Sequence, residues 1–331
     1  MTKPGVLLIS TGGTISSKFD PAKGYSPALT GADFLADFPV IGEFADIEIM
    51  QPCNVLSFAL SPATIMQFVN TAKQKVTQDG FAGVVVTQGT ATLEESSYLA
   101  DLMWDVDAPL VFTGSMLNSS ERDWDGPKNI MNSVIVAASP EARGKGAMIC
   151  LGGEVHAARD AAKIHKTSLA PMASLNTGPL GMVINKRDVV FHRAPLRRKT
   201  FKANTLETAV DIIKVGIGDD SRLLDASIAS GARAIVLEAF PGGGGVTPEM
   251  MVSVKKAREK DFIFVMAPRS PIGSAALAGA SGGCGPFDLR QCGVIPAGDL
   301  AAIKARIVLM VVLPLITSAE EVRNIFSQIA P

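Results

Sequence analysis

The sequence predicts an α/β fold made of two domains, of which the first is the larger. Short apolar runs alternate with amphipathic stretches along most of the chain, and such strand–helix repetition indicates parallel strands joined by right-handed crossovers. A length of 331 residues fits two domains of ordinary size. We expect residues 1–195 to form an N-terminal domain with a mostly parallel sheet flanked by helices, 196–211 to form a linker, and 212–331 to form a smaller, flavodoxin-like α/β domain.

The periodicity of apolar residues assigns the elements of the first domain. Continuous apolar runs predict buried strands, whereas apolar residues three and four positions apart predict amphipathic helices. Glu94 and Glu95 lie in the first turn of one predicted helix, where the helix dipole favours acids, and Pro127 is a typical first residue of another. The predicted strands are 6–9, 82–86, 110–112 and 147–151, and the predicted helices are 64–78, 92–104 and 127–138. Residues 180–192 are predicted as two extended segments around a turn at 185–188.

The same alternation resumes in the second domain. The predicted strands are 212–217, 234–237 and 262–266, and the predicted helices begin at Ser221 and Thr247 and cover about 299–312 and 319–329. The stretch 273–285, rich in Gly and Ala, is predicted to be a loop. The basic run 193–202 is expected to be a solvated loop and not a phosphate-binding patch.

Composition and charge argue against several classes of protein. An apolar share of 47% with a formal net charge of −1 does not fit a disordered chain, and it gives no broad positive field for nucleic acid. The four cysteines and three histidines lack metal-ligand spacing, so we expect no structural zinc site and buried thiols in a reducing compartment. No apolar run reaches the length of a signal-peptide core or a membrane span. We therefore expect a cytoplasmic protein that binds neither nucleic acid nor a membrane.

Two turns that combine glycine with threonine follow predicted strands, at 10–15 and 87–92. Ligands of open parallel sheets bind beyond the carboxyl ends of the strands. Glycine lets a backbone approach a ligand closely, and a threonine hydroxyl becomes a nucleophile when a neighbour takes its proton. The Gly12-Gly13 pair matches neither the dinucleotide fingerprint nor a phosphate-binding loop. The pattern alone leaves plain turns and ligand-binding turns equally open.

Further motifs decide between these readings. They are Thr11-Gly12-Gly13-Thr14-Ile15, Thr87-Gln88-Gly89-Thr90 with Glu94-Glu95 behind it, Phe-Thr-Gly-Ser-Met at 112–116, Asp-Gly-Pro-Lys-Asn at 125–129, Ala-Arg-Asp-Ala-Ala-Lys at 158–163 and Asn-Thr-Gly-Pro-Leu-Gly at 176–181. In this order and spacing the chain resembles the bacterial-type L-asparaginase (asparaginase/glutaminase) family, most clearly over residues 6–198 and more loosely to the C-terminus.

The resemblance implies a set of catalytic residues. Thr14 matches the nucleophilic threonine, and Tyr25, in a mobile loop at 16–30, matches the tyrosine that activates it. Thr90 matches the second catalytic threonine, and Lys163 matches the lysine paired with it. The resemblance also implies a small amide substrate, no metal or organic cofactor, and a homo-oligomer, usually a tetramer, with active sites between subunits.

The resemblance also implies substrate contacts, and here the sequence departs from the family. Ser57 matches a serine that holds the substrate carboxylate, and Gly89 and Ser115 lie in matching motifs. Ala91 replaces the family's aspartate, which binds the substrate α-ammonium beside the catalytic lysine, and Phe58 stands where glutamine is common.

The second domain departs as well. Residues 241–245, Pro-Gly-Gly-Gly-Gly, stand where a Gly-Asn-Gly-Asn loop of the partner subunit often completes the site, and the acidic residue that some members send across the interface has no clear match.

These departures predict an altered substrate pocket. An ammonium group that leaves water needs an opposite charge or acceptors, and methyl and phenyl groups supply neither. We expect a substrate that keeps an amide and a carboxylate but lacks the free α-ammonium of asparagine. Lys163 also loses a charged neighbour, so its pKa should fall. The alternatives are an ordinary L-asparaginase, a hydrolase of a lactam, cyclic imide or ester, and a non-catalytic binding protein on the same fold.

Overall fold

The computed structural model describes residues 2–22, 24–196, 199–275, 279–316 and 318–330. The chain divides into two compact units, Met1–Thr200 and Phe201–Pro331. Arg197 and Arg198, in the predicted linker and basic run, lie outside the described residues, as do residues 276–278 of the predicted Gly/Ala-rich loop.

The first unit is built from a large sheet, two small antiparallel ribbons and four helices in its described part. The strands are β1 (Gly5–Ser10), β2 (Ser17–Asp20), β3 (Gly24–Pro27), β4 (Asp46–Met50), β5 (Gly83–Thr87), β6 (Leu110–Thr113), β7 (Ala147–Leu151), β8 (Glu154–Ala157), β9 (Ala162–Lys163), β10 (Met172–Ala173), β11 (Gly181–Ile184) and β12 (Asp188–Phe191). The helices are α1 (Gly31–Asp37), α2 (Pro62–Gln78), α3 (Leu93–Met103) and α4 (Gly126–Ala138).

The order of strands in the large sheet is β12-β11-β8-β7-β6-β5-β1-β4. The five strands from β7 to β4 are parallel, and β8, β11 and β12 extend the sheet in antiparallel pairs. Strand β1 lies between β4 and β5, so the strand order reverses there. Such a switch point is where open α/β sheets bind ligands.

Helices cover both faces of this sheet because its central strands alternate between two buried faces. Val6 and Leu8 belong to one core with residues of α1 and α4, among them Phe34. Leu7 and Ile9 point to the other face and are also fully buried, on the side where α2 packs on β1.

The antiparallel edge begins where the strand–helix alternation of the sequence ends, in agreement with the mostly parallel sheet that the sequence predicts. Gly152 and Gly153, both with positive φ, form a turn between β7 and β8 that is too short for a crossover helix. Asn185 and Lys186 have φ values of 51° and 58° and connect β11 to β12, at the predicted turn.

The second unit contains a parallel sheet of the order β13-β14-β15-β16. The strands are β13 (Val210–Lys214), β14 (Ala234–Ala239), β15 (Ile263–Pro268) and β16 (Ile295–Pro296), and the helices are α5 (Arg222–Ala229), α6 (Pro248–Arg258), α7 (Pro286–Gln291), α8 (Ala302–Val312) and α9 (Ala319–Ile329). Helices α5, α6 and α7 share one core with the sheet, and α8 packs on β13, β14 and β15. The strand β13 begins inside the stretch predicted as linker, and α7 follows the predicted loop directly.

These two units confirm the predicted fold class, two α/β domains with a mostly parallel sheet in the larger one. Three of the four cysteines are only partly buried, which differs from the expected buried thiols, whereas Cys150 is buried; all four are free. Across the described ranges, no helix combines the length and apolar character that crossing a bilayer requires.

Candidate active site

The candidate site lies at the carboxyl edge of the large sheet, where three neighbouring parallel strands end at one level. The register pairs Ser10 with Thr87 and Thr87 with Thr113. The loops that follow β1, β5 and β6 therefore leave the sheet side by side. The first two carry Thr14 and Thr90.

A contact between two glycines holds the first two loops together. A methyl group on Gly13 would lie 2.1 Å from the amide nitrogen of Gly89, so the two backbones touch and Gly13 cannot be replaced without moving them. Gly13 also has a φ of 87° and donates its N–H to the Val55 carbonyl at 2.8 Å. Thr14 and Thr90, the residues that follow the two glycines, are thereby presented from adjoining turns.

Thr90 and Lys163 are in direct contact. The Lys163 Nζ donates to the Thr90 Oγ1 at 2.7 Å, and the Thr90 hydroxyl points to the Met116 Sδ at 3.6 Å. Thr90 is buried. A hydroxyl bonded to an amine can pass a proton to it once the ammonium has lost one, which is the first requirement of general base chemistry.

Lys163 is fixed by a short strand and by an acid that the sequence reasoning did not assign to it. It lies on β9, opposite Met172 of β10, and its backbone N–H donates to the Glu94 Oε2 at 3.0 Å. Burial lowers the pKa of Lys163, and the charge of Glu94 opposes that fall. The direction agrees with the prediction, but the cause is burial, and Glu94 provides a carboxylate despite the alanine at position 91.

The residues expected to bind substrate differ in their exposure. Ser57 is buried, and its Oγ lies 2.7 Å from where a Cβ on Gly89 would stand. Ala91 is exposed, and Phe58 is 76% exposed. The apolar groups that replace the family's polar ones are thus presented at the surface beside Ser57 and Thr90.

Tyr25 lies on a β-hairpin within the predicted loop 16–30. It belongs to β3, pairs with Phe19 of β2, and its ring contacts the Phe19 ring with centroids 5.3 Å apart. The base of the hairpin is held by Ser119, whose N–H and hydroxyl both donate to the Ser17 carbonyl. Tyr25 is 55% exposed, and within the described ranges its hydroxyl is not hydrogen-bonded to Thr14.

The loop after β6 is built on a carboxylate. Asp125 accepts hydrogen bonds from the backbone N–H groups of Met116 and Leu117 and from the Asn129 side chain. Ser115 is fully buried, and its hydroxyl donates to the Leu117 carbonyl at 2.6 Å. Its side chain therefore supports the turn, whereas Met116 is the side chain that reaches Thr90.

A buried ion-pair network supports the segment before Lys163. The Asp160 carboxylate contacts Arg159 at 2.8 Å and Arg193 at 3.2 Å, and it accepts from the Thr177 hydroxyl. Arg193, expected in a solvated basic loop, is instead drawn inward because this buried carboxylate needs counter-charges. Matching motifs mark Asp160 and Thr177 in the sequence, but neither role follows from the pattern.

No metal site emerges from the described portion of the chain, where no group of three or more His, Cys, Asp or Glu side chains is arranged to hold an ion.

Comparison with protein families gives two matches. The family model "Asparaginase, N-terminal" matches residues 5–197, and "Glutaminase/Asparaginase C-terminal domain" matches residues 209–326. The chain belongs to the asparaginase family. Its members hydrolyse C–N amide bonds, and the chain is an enzyme of this class.

Asparaginase relatives match the chain over nearly its full length. It is 32% identical to the "Probable L-asparaginase" of Deinococcus radiodurans, covering 98% of both chains, and 30% identical to an L-asparaginase of Bacillus licheniformis, covering 93% of this chain and 95% of the other. Among solved structures it resembles the "Probable Cytoplasmic L-asparaginase" of Campylobacter jejuni with a TM-score of 0.87 and 27% identity, covering 98% of this chain and 100% of the other.

Proposed function

We propose that this asparaginase-family enzyme cleaves the amide of a small substrate with Thr14 as nucleophile, Tyr25 as its activator, and Thr90 and Lys163 as the proton-transfer pair. The observation that carries the proposal is the 2.7 Å contact between Lys163 Nζ and Thr90 Oγ1, on the loop that touches the Thr14 turn through Gly13 and Gly89. Burial lowers the pKa of Lys163, and this favours the neutral amine that a base requires.

The reaction proceeds in two balanced steps. The Thr14 oxygen attacks the amide carbonyl, its proton goes to the leaving nitrogen by way of the neighbouring groups, and ammonia departs from an ester on Thr14. Water, deprotonated with the help of Thr90 and Lys163, then attacks the ester, and the proton returns to the Thr14 oxygen as the acid leaves. Backbone N–H groups of the Thr14 and Gly89 turns are the donors that we assign to the developing oxyanion.

Ala91 and Phe58 support a substrate without a free α-ammonium. Neither side chain offers an acceptor or a charge, and both are exposed beside Thr90 and Ser57. Ser57 keeps a hydroxyl for a carboxylate. Succinamate, which is asparagine without its amino group, has this combination.

L-Asparagine is the second candidate substrate. The relatives in Deinococcus radiodurans and Bacillus licheniformis are both described as L-asparaginases, and Glu94 supplies a carboxylate near Lys163.

Ammonia release tests both substrates. We expect wild-type kcat/KM to be higher for succinamate than for L-asparagine, Thr14→Ala to lose turnover by orders of magnitude, and Ala91→Asp to reverse the preference. Ala91→Ser, which adds a polar group without charge, is the matched control and should keep the preference. Efficient turnover of asparagine with no preference for succinamate would refute the altered pocket, and unchanged turnover by Thr14→Ala would refute the nucleophile.

We also propose a cytoplasmic homo-oligomer, a dimer or tetramer, with active sites at subunit interfaces. The Campylobacter jejuni neighbour is described as cytoplasmic, whereas a Haemophilus influenzae relative is described as periplasmic. Light scattering after gel filtration and fractionation of the source cells test the two statements. A monomer at assay concentration, or recovery in the periplasm, would contradict them.

A further inference from the structure

Thr92 stands at the N-terminus of α3 but does not cap it. Threonine at this position ordinarily accepts a hydrogen bond from a backbone N–H of the first turn, which is worth about 1 kcal/mol. The Thr92 side chain makes no such bond. Its hydroxyl instead accepts from the Gln88 Nε2 at 3.0 Å and donates to the Ser57 carbonyl at 3.2 Å. The side chain is therefore used for a link between loops and not for its own helix.

Gln88 fixes the direction of this link. The residue is buried, its backbone N–H donates to the Thr113 carbonyl at 2.9 Å, and its Nε2 contacts both Thr92 and the Ser96 Oγ, the latter at 2.9 Å. Because the amide donates to Thr92, the proton of the Thr92 hydroxyl remains for Ser57. The Gln88 Oε1 is buried without a partner among the described residues, a cost that fits a side chain oriented for its donors.

Ser57 accepts the hydrogen bond that Thr92 donates. It begins the short turn Ser57–Ala59, and its Oγ is packed against Gly89. Its carbonyl accepts from Thr92 and from the Leu60 N–H at 3.1 Å. Thr92 thus ties the Ser57 turn to the segment that carries Gly89, over a sequence separation of 35 residues.

We propose that Thr92 is a positioning residue for substrate recognition, which holds the Ser57 hydroxyl in place for the substrate carboxylate through the chain Gln88–Thr92–Ser57. This inference rests on the proposed function, which assigns Ser57 to that carboxylate. These hydrogen bonds end at Ser57 and involve neither Lys163 nor the Thr14 hydroxyl. Their loss therefore weakens carboxylate binding and leaves the chemical step in place.

Three variants separate positioning from general structure. Thr92→Val keeps the shape and removes the hydroxyl, Thr92→Ser keeps the hydroxyl, and Ser96→Ala removes the other partner of Gln88 without touching Ser57. The test substrate is whichever of succinamate and L-asparagine the wild-type enzyme hydrolyses better, and the binding probe is the matching product, succinate or aspartate, measured by calorimetry.

Thr92→Val should raise both KM and the product Kd about tenfold, the weight of a lost hydrogen bond, with kcat within about twofold of wild type. Thr92→Ser and Ser96→Ala should keep wild-type KM and Kd. Unchanged KM and Kd in Thr92→Val, a fall confined to kcat, or equal losses in Thr92→Ser would overturn the inference. Absence of ammonia release by the wild-type protein would instead refute the proposed function. The effect of Thr92→Val on the product Kd, measured by calorimetry, would still test the role of Thr92. A wild-type protein that binds neither succinate nor aspartate would overturn both the proposed function and the role of Thr92.

Discussion

Replacing Gly13 by alanine should disable the enzyme without unfolding it, because this position sets the spacing of the two threonine turns. The new methyl group would lie 2.1 Å from the Gly89 nitrogen, about 1.3 Å short of an ordinary contact at 3.4 Å. The turns must therefore separate by roughly 1 Å, and a misplacement of that size costs on the order of 10²-fold in rate. Gly13 also has φ 87° and ψ −173°, a region that costs a residue with a side chain about 1–3 kcal/mol.

The assay is ammonia release from the better of the two candidate substrates, with the melting temperature measured in parallel. Gly80→Ala is the matched control, since Gly80 has a φ of 76° and no atom within 4 Å of the added methyl. It should lose about 1 kcal/mol of stability and keep its kcat. A folded Gly13→Ala enzyme with wild-type kcat/KM would refute the claim that the glycine contact aligns Thr14 with Thr90.

Further predictions concern charge and burial. The charge of Glu94 raises the pKa of Lys163 that burial lowers, so Glu94→Gln should populate the neutral amine at lower pH and move the acid limb of kcat/KM downward; a limb that moves upward contradicts the assigned base. Asp160→Ala removes a buried carboxylate from two guanidinium groups and should lower the free energy of unfolding in urea by about 3–5 kcal/mol. Asp107→Ala, at an exposed ion pair, is the control and should lower it by less than about 1 kcal/mol. Equal losses in the two variants would refute this ranking. Burial raises the pKa of Cys150 to about 12, so iodoacetamide at pH 8 should label it only after unfolding, and rapid labelling of the native protein, located by peptide mass spectrometry, would contradict this.

The strands and the helix that position the site at the sheet edge could be predicted from the sequence, because each has a clear pattern of apolar residues. Strands β1, β5 and β6 are continuous apolar runs, and α3 shows both helical spacing and acids in its first turn. The two-residue strands β9 and β10 are too short to leave a periodic signal, although β9 carries Lys163. The pairing of β2 with β3 around Tyr25 was likewise not predicted, because the resemblance supplied a role for the tyrosine but no local geometry.

Contacts between residues far apart in the sequence could not be predicted, because local sequence patterns carry no information about them. Glu94 is favourable to its helix dipole in the sequence, but its hydrogen bond to the Lys163 backbone spans 69 residues. The contact between Gly13 and Gly89 joins two turns for which the sequence pattern left a structural and a ligand-binding role equally open. The family resemblance named Thr90 and Lys163 as partners, whereas Met116 next to Thr90 could be found only in three dimensions.

The glycine contact has a consequence for how such an enzyme changes its substrate over evolutionary time. Gly13 and Gly89 meet through main-chain atoms, so the backbone sets the spacing of the two threonine turns, and no side chain at either position contributes to it. Mutations at Phe58 and Ala91, which point outward, can accumulate without shifting that spacing. Under the proposed function, substrate preference can therefore change at these two positions while the two threonine turns keep their spacing, and a selection for hydrolysis of new amides would start by randomising them.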